Sequence, residues 1–126
     1  MSENSSAVRT PIVRVVGFRD IDNKLKASAT PEVLYMADYG AGPFTIVFSL
    51  VTQNMEFDNP PVIFNTLSGN PFGTPMIDPQ DPSRCLVSNL NNNGEAYSYT
   101  VFIKQSGLNG PTDKASFDPV IQNDNT

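Results

Sequence analysis

Between Ile12 and Gln122, apolar and polar residues alternate with period two in short runs, and no run sustains the 3.6-residue spacing of a helix. In Ile12–Phe18, Val13 and Val15 share one face and Arg14 takes the other. Phe44–Thr52 places Phe44, Ile46, Phe48 and Leu50 on one face, with Thr45 and Ser49 opposite. Val47 and Val51 make that opposite face half-apolar, which implies cover on both sides. In Glu95–Gln105, Tyr97, Tyr99, Val101 and Ile103 point one way, and Ser98, Thr100, Phe102 and Lys104 the other. Shorter strands are expected at Ala27–Met36, Pro61–Phe64, Arg84–Asn89 and Ser116–Gln122. Pro31 interrupts the first of these and, having no N–H to donate, marks an edge or a bulge.

Eleven prolines and eight glycines punctuate these runs too often for a long amphipathic helix. Turns are expected at Asp20–Asn23, Asp38–Pro43, Asn91–Gly94 and Gly107–Asp113, where Asp, Asn and Gly bend the backbone at low cost. Ser68–Ser83 carries Pro71, Pro75, Pro79 and Pro82 and reads as one long irregular loop, a kind of segment that often serves function. About seven strands with no crossover helix predict antiparallel pairing. The expected fold is all-β, an antiparallel Greek-key β-sandwich formed by residues 1–126 as a single domain, with a small closed barrel as the alternative. Residues 1–10 and 123–126 are expected to be flexible.

Composition adds exclusions. With eight Phe, four Tyr and no Trp, the core is expected to rest on Phe, Val, Ile and Leu. The net charge is −5. Arg9, Arg14, Arg19, Lys24, Lys26, Arg84, Lys104 and Lys114 are scattered along the chain, so the basic footprint of a nucleic-acid binder is missing and no nucleic-acid partner is expected. No apolar run reaches the length of a membrane span, so no membrane association is expected. Met1–Ser6 lacks the basic and apolar regions of a secretory signal, and the expectation is a soluble cytoplasmic protein.

The chain contains no histidine, which removes Ser-His-Asp and Cys-His nucleophiles, the usual neutral-pH proton shuttle, most zinc sites and imidazole-ligated copper. An enzyme would have to use carboxylates alone, so no catalytic residue, metal or cofactor is expected. Cys85 sits in the Arg84–Asn89 run and reads as a small buried hydrophobe. Most carboxylates stand beside Pro, Gly or Asn, where Asp folds back on its own backbone in Asx-turns. Asp20–Asn23 and Asp78–Asp81 could present oxygens to calcium, although neither follows the EF-hand pattern. Two loop aromatics read as exposed, Tyr39 and Phe72, could stack on a sugar or seat a partner. Tyr39, Phe72, Asp78 and Asp81, in loops 38–43 and 68–83, therefore form the candidate ligand-binding set.

Asn93-Gly94-Glu95-Ala96-Tyr97-Ser98-Tyr99-Thr100-Val101 resembles the late strand of immunoglobulin-like and cupredoxin-like sandwiches, where a Gly turn precedes a Tyr whose hydroxyl ties back to nearby backbone. Gly and Tyr stand one residue further apart here than in antibody domains, and the partner Cys is missing. The ending Phe117-Asp118-Pro119-Val120-Ile121-Gln122-Asn123 resembles that of a small bacterial group of β-sandwich proteins, the DP-EP family. More remotely it is similar to the end of bacterial inclusion-body (AidA/PixA-type) proteins. These resemblances imply a sandwich without an assigned activity. The expected function is a non-enzymatic interaction or self-assembling module whose partner is a second copy, as a homodimer, or another protein. The alternative is a glycan- or calcium-binding module.

Overall fold

In the computed structural model, which describes residues 9–65, 70–108 and 110–123, the alternation reads out directly as two packed sheets. The first holds β1 (Ile12–Arg19), β2 (Leu25–Thr30), β4 (Phe44–Leu50), β6 (Met76–Ile77) and β7 (Arg84–Asn89), in the order β2-β1-β4-β7-β6. The second holds β3 (Val33–Tyr35), β5 (Met55–Phe64), β8 (Ala96–Gln105), β9 (Lys114–Phe117) and β10 (Val120–Gln122), in the order β3-β10-β8-β5 with β9 also on β8. The fold is thus the expected all-β sandwich, with no α-helix among the described residues.

Three features raise the strand number above the expected seven. At Pro31 the expected Ala27–Met36 strand becomes β2 in one sheet and β3 in the other, so the proline marks a corner between sheets. Asp118-Pro119 divides the last strand into β9 and β10, which share one edge of β8. Across the gap Tyr99 N–H still donates to Pro119 O at 3.1 Å, and Thr100 Oγ1 donates to Asp118 Oδ1 at 2.6 Å. The third addition is β6, inside the region read as one irregular loop. β5 is also longer than the expected Pro61–Phe64, because it starts at Met55 and bulges between Phe57 and Val62, over the two prolines. It is an edge strand, where a missing N–H leaves no partner unsatisfied.

Pairing is mostly antiparallel, but β1–β4 and β3–β10 are parallel. A parallel pair needs a crossover. Here the excursion through β3 in the opposite sheet supplies it between β1 and β4, without an α-helix. Fully antiparallel pairing is corrected at these two ladders.

The inner faces meet in one core. Val13, Val15, Ile46, Phe48, Cys85 and Val87 come from the first sheet, and Leu34, Tyr99, Val101, Ile103 and Ile121 from the second, all nearly or wholly removed from solvent. Each large apolar side chain so buried contributes about 1.5–3 kcal/mol. Tyr99 lies edge-on to Phe48 at 5.4 Å and tilted against Phe64 at 5.6 Å. Its buried hydroxyl has no hydrogen-bond partner among the described residues, and burial pushes its pKa up. Cys85 is the buried small hydrophobe expected, its thiol pushed by burial up to about 11. Gly17 is inward-facing where β1 passes Met55 and Ile103. A Cβ there would run into Met55 Sδ and lie 3.0 Å from Ile103 Cδ1.

Candidate functional site

The four residues of the expected ligand set occupy different kinds of place. Phe72 is not exposed. Its ring stacks flat on Phe64 at 3.9 Å and meets Tyr97 edge-on at 5.2 Å. The backbone explains this burial, because Phe72 N–H donates to Asn70 Oδ1, Gly73 N–H to Ser88 O and Leu90 N–H to Pro71 O. Those bonds lay the loop back along the end of β7 and turn the ring inward. Tyr39 is half-buried as well, edge-on to Phe44 at 6.2 Å, with the Arg9 guanidinium 4.8 Å from its ring centre. Arg9 also donates to Asp38 O. Ser68 and Gly69, inside the expected 68–83 loop, lie outside the described residues.

Asp78 and Asp81 build the turn between β6 and β7. Asp78 Oδ1 accepts Gln80 N–H at 2.9 Å, and Asp81 Oδ1 accepts Ser83 N–H at 3.2 Å and Ser83 Oγ–H at 2.6 Å. The Ser83 bonds lower the Asp81 pKa. Arg84 stands 3.9 Å from Asp78. Asp20 does the same work in the β1–β2 turn, accepting the N–H of Asp22 and of Lys24 at 2.9 Å each. These are the Asx-turns expected of such residues, and among the described residues no three carboxylates or thiols converge on a cation site.

A polar cluster closes the end of the sandwich where β7 and β10 finish. Asn89 Nδ2 donates to Asn123 Oδ1 at 2.7 Å, and Asn123 Nδ2 returns a bond to Asn89 Oδ1 at 3.3 Å, with both residues buried. Asn89 Oδ1 also accepts Asn91 N–H at 2.9 Å, and Asn91 Nδ2 reaches Gly40 O and Gly42 O at 3.3 and 3.1 Å. The 38–43 loop is thereby tied to the β7–β8 turn. Asn123, expected to begin a flexible tail, is instead a buried member of this cluster. Residues 1–8 and 124–126, the rest of the expected flexible ends except Arg9 and Thr10, lie outside the described residues. Asn93 Nδ2 donates to the Tyr97 hydroxyl at 2.8 Å, so that hydroxyl is held by a side chain where the resemblance implied backbone.

The outer face of the first sheet carries a feature that no single strand reveals. Ile12 pairs with Val47, Val47 with Leu86, and Leu86 with Met76. Four apolar residues therefore stand in one row across β1, β4, β7 and β6. Met76 is 61% exposed and Ile12 40%, while Val47 between them is only 5% exposed. The next row toward the β4 C-terminus is Arg14, Ser49 and Arg84, and the row on the other side holds Thr45 and Ser88. Val47 was visible in sequence as an apolar residue on a polar face. Ile12, Leu86 and Met76 were not, because cross-strand register is a non-local property.

A depression of about 260 Å³ lies between β2 and the β9–β10 break, lined by Glu32, Val33, Phe117, Asp118 and Pro119 among others. It brings two carboxylates to one place, but the Asp118 side chain is engaged by Thr100. Among the described residues no helix is long and apolar enough to cross a membrane. Compared with known proteins, the chain matches no family model and no curated sequence.

Proposed function

We propose that this chain is a non-enzymatic β-sandwich module that acts by pairing with a second copy of itself. The observation that carries the reading is the apolar row Ile12–Val47–Leu86–Met76 on the outer face of the first sheet. A two-fold axis running along that row lays it over the same row of the second copy, the isologous arrangement commonest among oligomers. The same operation puts Ser49 and Arg84 opposite Thr45 and Ser88 of the second copy, so Arg84 does not meet its own copy. The glycan alternative loses support, since Phe72 is committed to Phe64 and Tyr97.

Sedimentation velocity over a concentration series tests the pairing. The native chain sediments as a dimer at high concentration, and Met76→Glu sediments as a monomer with its melting temperature nearly unchanged, Met76 being largely exposed. A native chain that stays monomeric throughout the series would sink the proposal.

A further inference from the structure

Lysines scattered along the chain are gathered by the fold. Lys24 and Lys26 at the start of β2, and Lys114 at the start of β9, line one cleft of about 460 Å³ together with Leu25, Thr112 and Ser116. No carboxylate is among its lining residues, although the chain as a whole carries −5. The cleft lies on the seam where the edges of the two sheets approach, at the end opposite the buried asparagines.

Its walls are fixed from behind. Asp20 pins the Lys24 backbone, and Arg19 bridges the two sides. The guanidinium donates to Asn23 O at 3.1 Å and Thr112 O at 2.7 Å, and reaches Gln105 Oε1 at 3.1 Å and Asp113 Oδ1 at 3.4 Å. Asp113 Oδ2 in turn accepts Gly110 N–H at 3.0 Å. Arg19 is therefore the strut, and the lysines remain at the surface. Among the described residues Lys24 has no carboxylate within 4.0 Å, while Lys26 and Lys114 have long contacts of 3.9 Å, to Asp20 and Asp58. Their side chains are 52% and 47% exposed. Three lysines whose nearest carboxylate contacts are long, together with Thr112 and Ser116, give the cleft a lining rich in hydrogen-bond donors.

We infer that this cleft binds a compact soluble ligand carrying more than one phosphate group. Lysine meets phosphate as a point charge, and hydroxyls supply the remaining hydrogen bonds. A cavity of 460 Å³ lies in the range of about 300–1,000 Å³ usual for small-molecule sites. Several separated ammonium groups call for several anionic groups on one scaffold.

The test is an amide-resonance titration of the full chain with tripolyphosphate, orthophosphate and citrate. It is run at about 0.1 M salt, where a Debye length of about 10 Å screens the distant acidic residues. Tripolyphosphate gives saturable shifts confined to residues 24–26 and 112–116, with half-saturation below about 1 mM, and orthophosphate binds more weakly. Lys24→Gln/Lys114→Gln weakens tripolyphosphate binding about tenfold or more, and Lys24→Arg/Lys114→Arg retains it. Absence of saturable shifts there, or equal binding by the Gln variant, overturns the site. Citrate binding as tightly as tripolyphosphate overturns the assignment to phosphate.

Discussion

At one end of the sandwich the polar atoms that tie loops together are neutral amides sealed from water: Asn89, Asn91 and Asn123. At the other end the same task falls to charged groups near the surface, with Arg19, Asp20 and Asp113 holding the β1–β2 turn to the turn before β9. The first arrangement excludes solvent, so each bond is strong and each lost partner expensive. The second is partly screened, so individual contacts are weak, and the lysines beside it stay exposed with only long ion pairs. One end is built for rigidity and the other keeps unspent charge.

The sharpest break in this contrast is Asn123→Ala, which leaves Asn89 Nδ2 without its acceptor in a buried site. It should destabilise the fold by about 1–3 kcal/mol, measured as a lower urea midpoint, and the loss should be the same in low and high salt. Arg19→Ala comes next. Its guanidinium is partly exposed, with side-chain exposure of 28%, so the expected loss is about 1 kcal/mol, read from the same urea curves. Unlike the first, this loss should shrink in about 1 M salt, where screening acts within about 3 Å. Equal salt response in the two variants would erase the distinction between the ends.

The smallest effect is one of pH. The Asp20 carboxyl is held below its ordinary 3.8 chiefly by the Lys24 N–H bond, and further by the Asp22 N–H and by Lys26. A depressed folded pKa stabilises above the unfolded value, and that stability is lost as pH falls through the folded one. The melting temperature of the native chain should therefore drop more steeply between about pH 5 and about pH 2 than that of Asp20→Asn. Parallel curves would show that the Asp20 charge does not matter to this turn.

How far the sequence was legible follows from the range of each determinant. Alternation is local, so the inward residues of β1, β4, β7 and β8 could be read in advance, and Arg84–Asn89 was placed to the residue. Asx-turns are local too, and Asp20, Asp78 and Asp81 behave as expected. Pro31 was recognised as an interruption, but whether a proline bends a strand or sends the chain to the other sheet depends on what lies opposite. For the same reason Pro60 and Pro61 hid the first half of β5. Phe72 was misplaced because a loop aromatic looks exposed until a cavity beside Phe64 is known to exist. Lys24 and Lys26 are close in sequence but Lys114 is far from both, and only the meeting of β2 with β9 brings it to their cleft.

The parallel pairing of β3 with β10 also governs how the chain assembles in time. Within its sheet β3 has β10 as its ladder partner, and the two strands come from distant parts of the chain. During synthesis Val33–Tyr35 leaves the ribosome long before Val120–Gln122 exists, so the edge of the second sheet stays unzipped until β4 to β9 have all been made. Closing a ladder between such distant segments makes the topology non-local, which slows folding relative to domains built from neighbouring hairpins. The short Val120–Gln122 segment thus acts as a late fastening, closing the second sheet only after β4 to β9 have emerged.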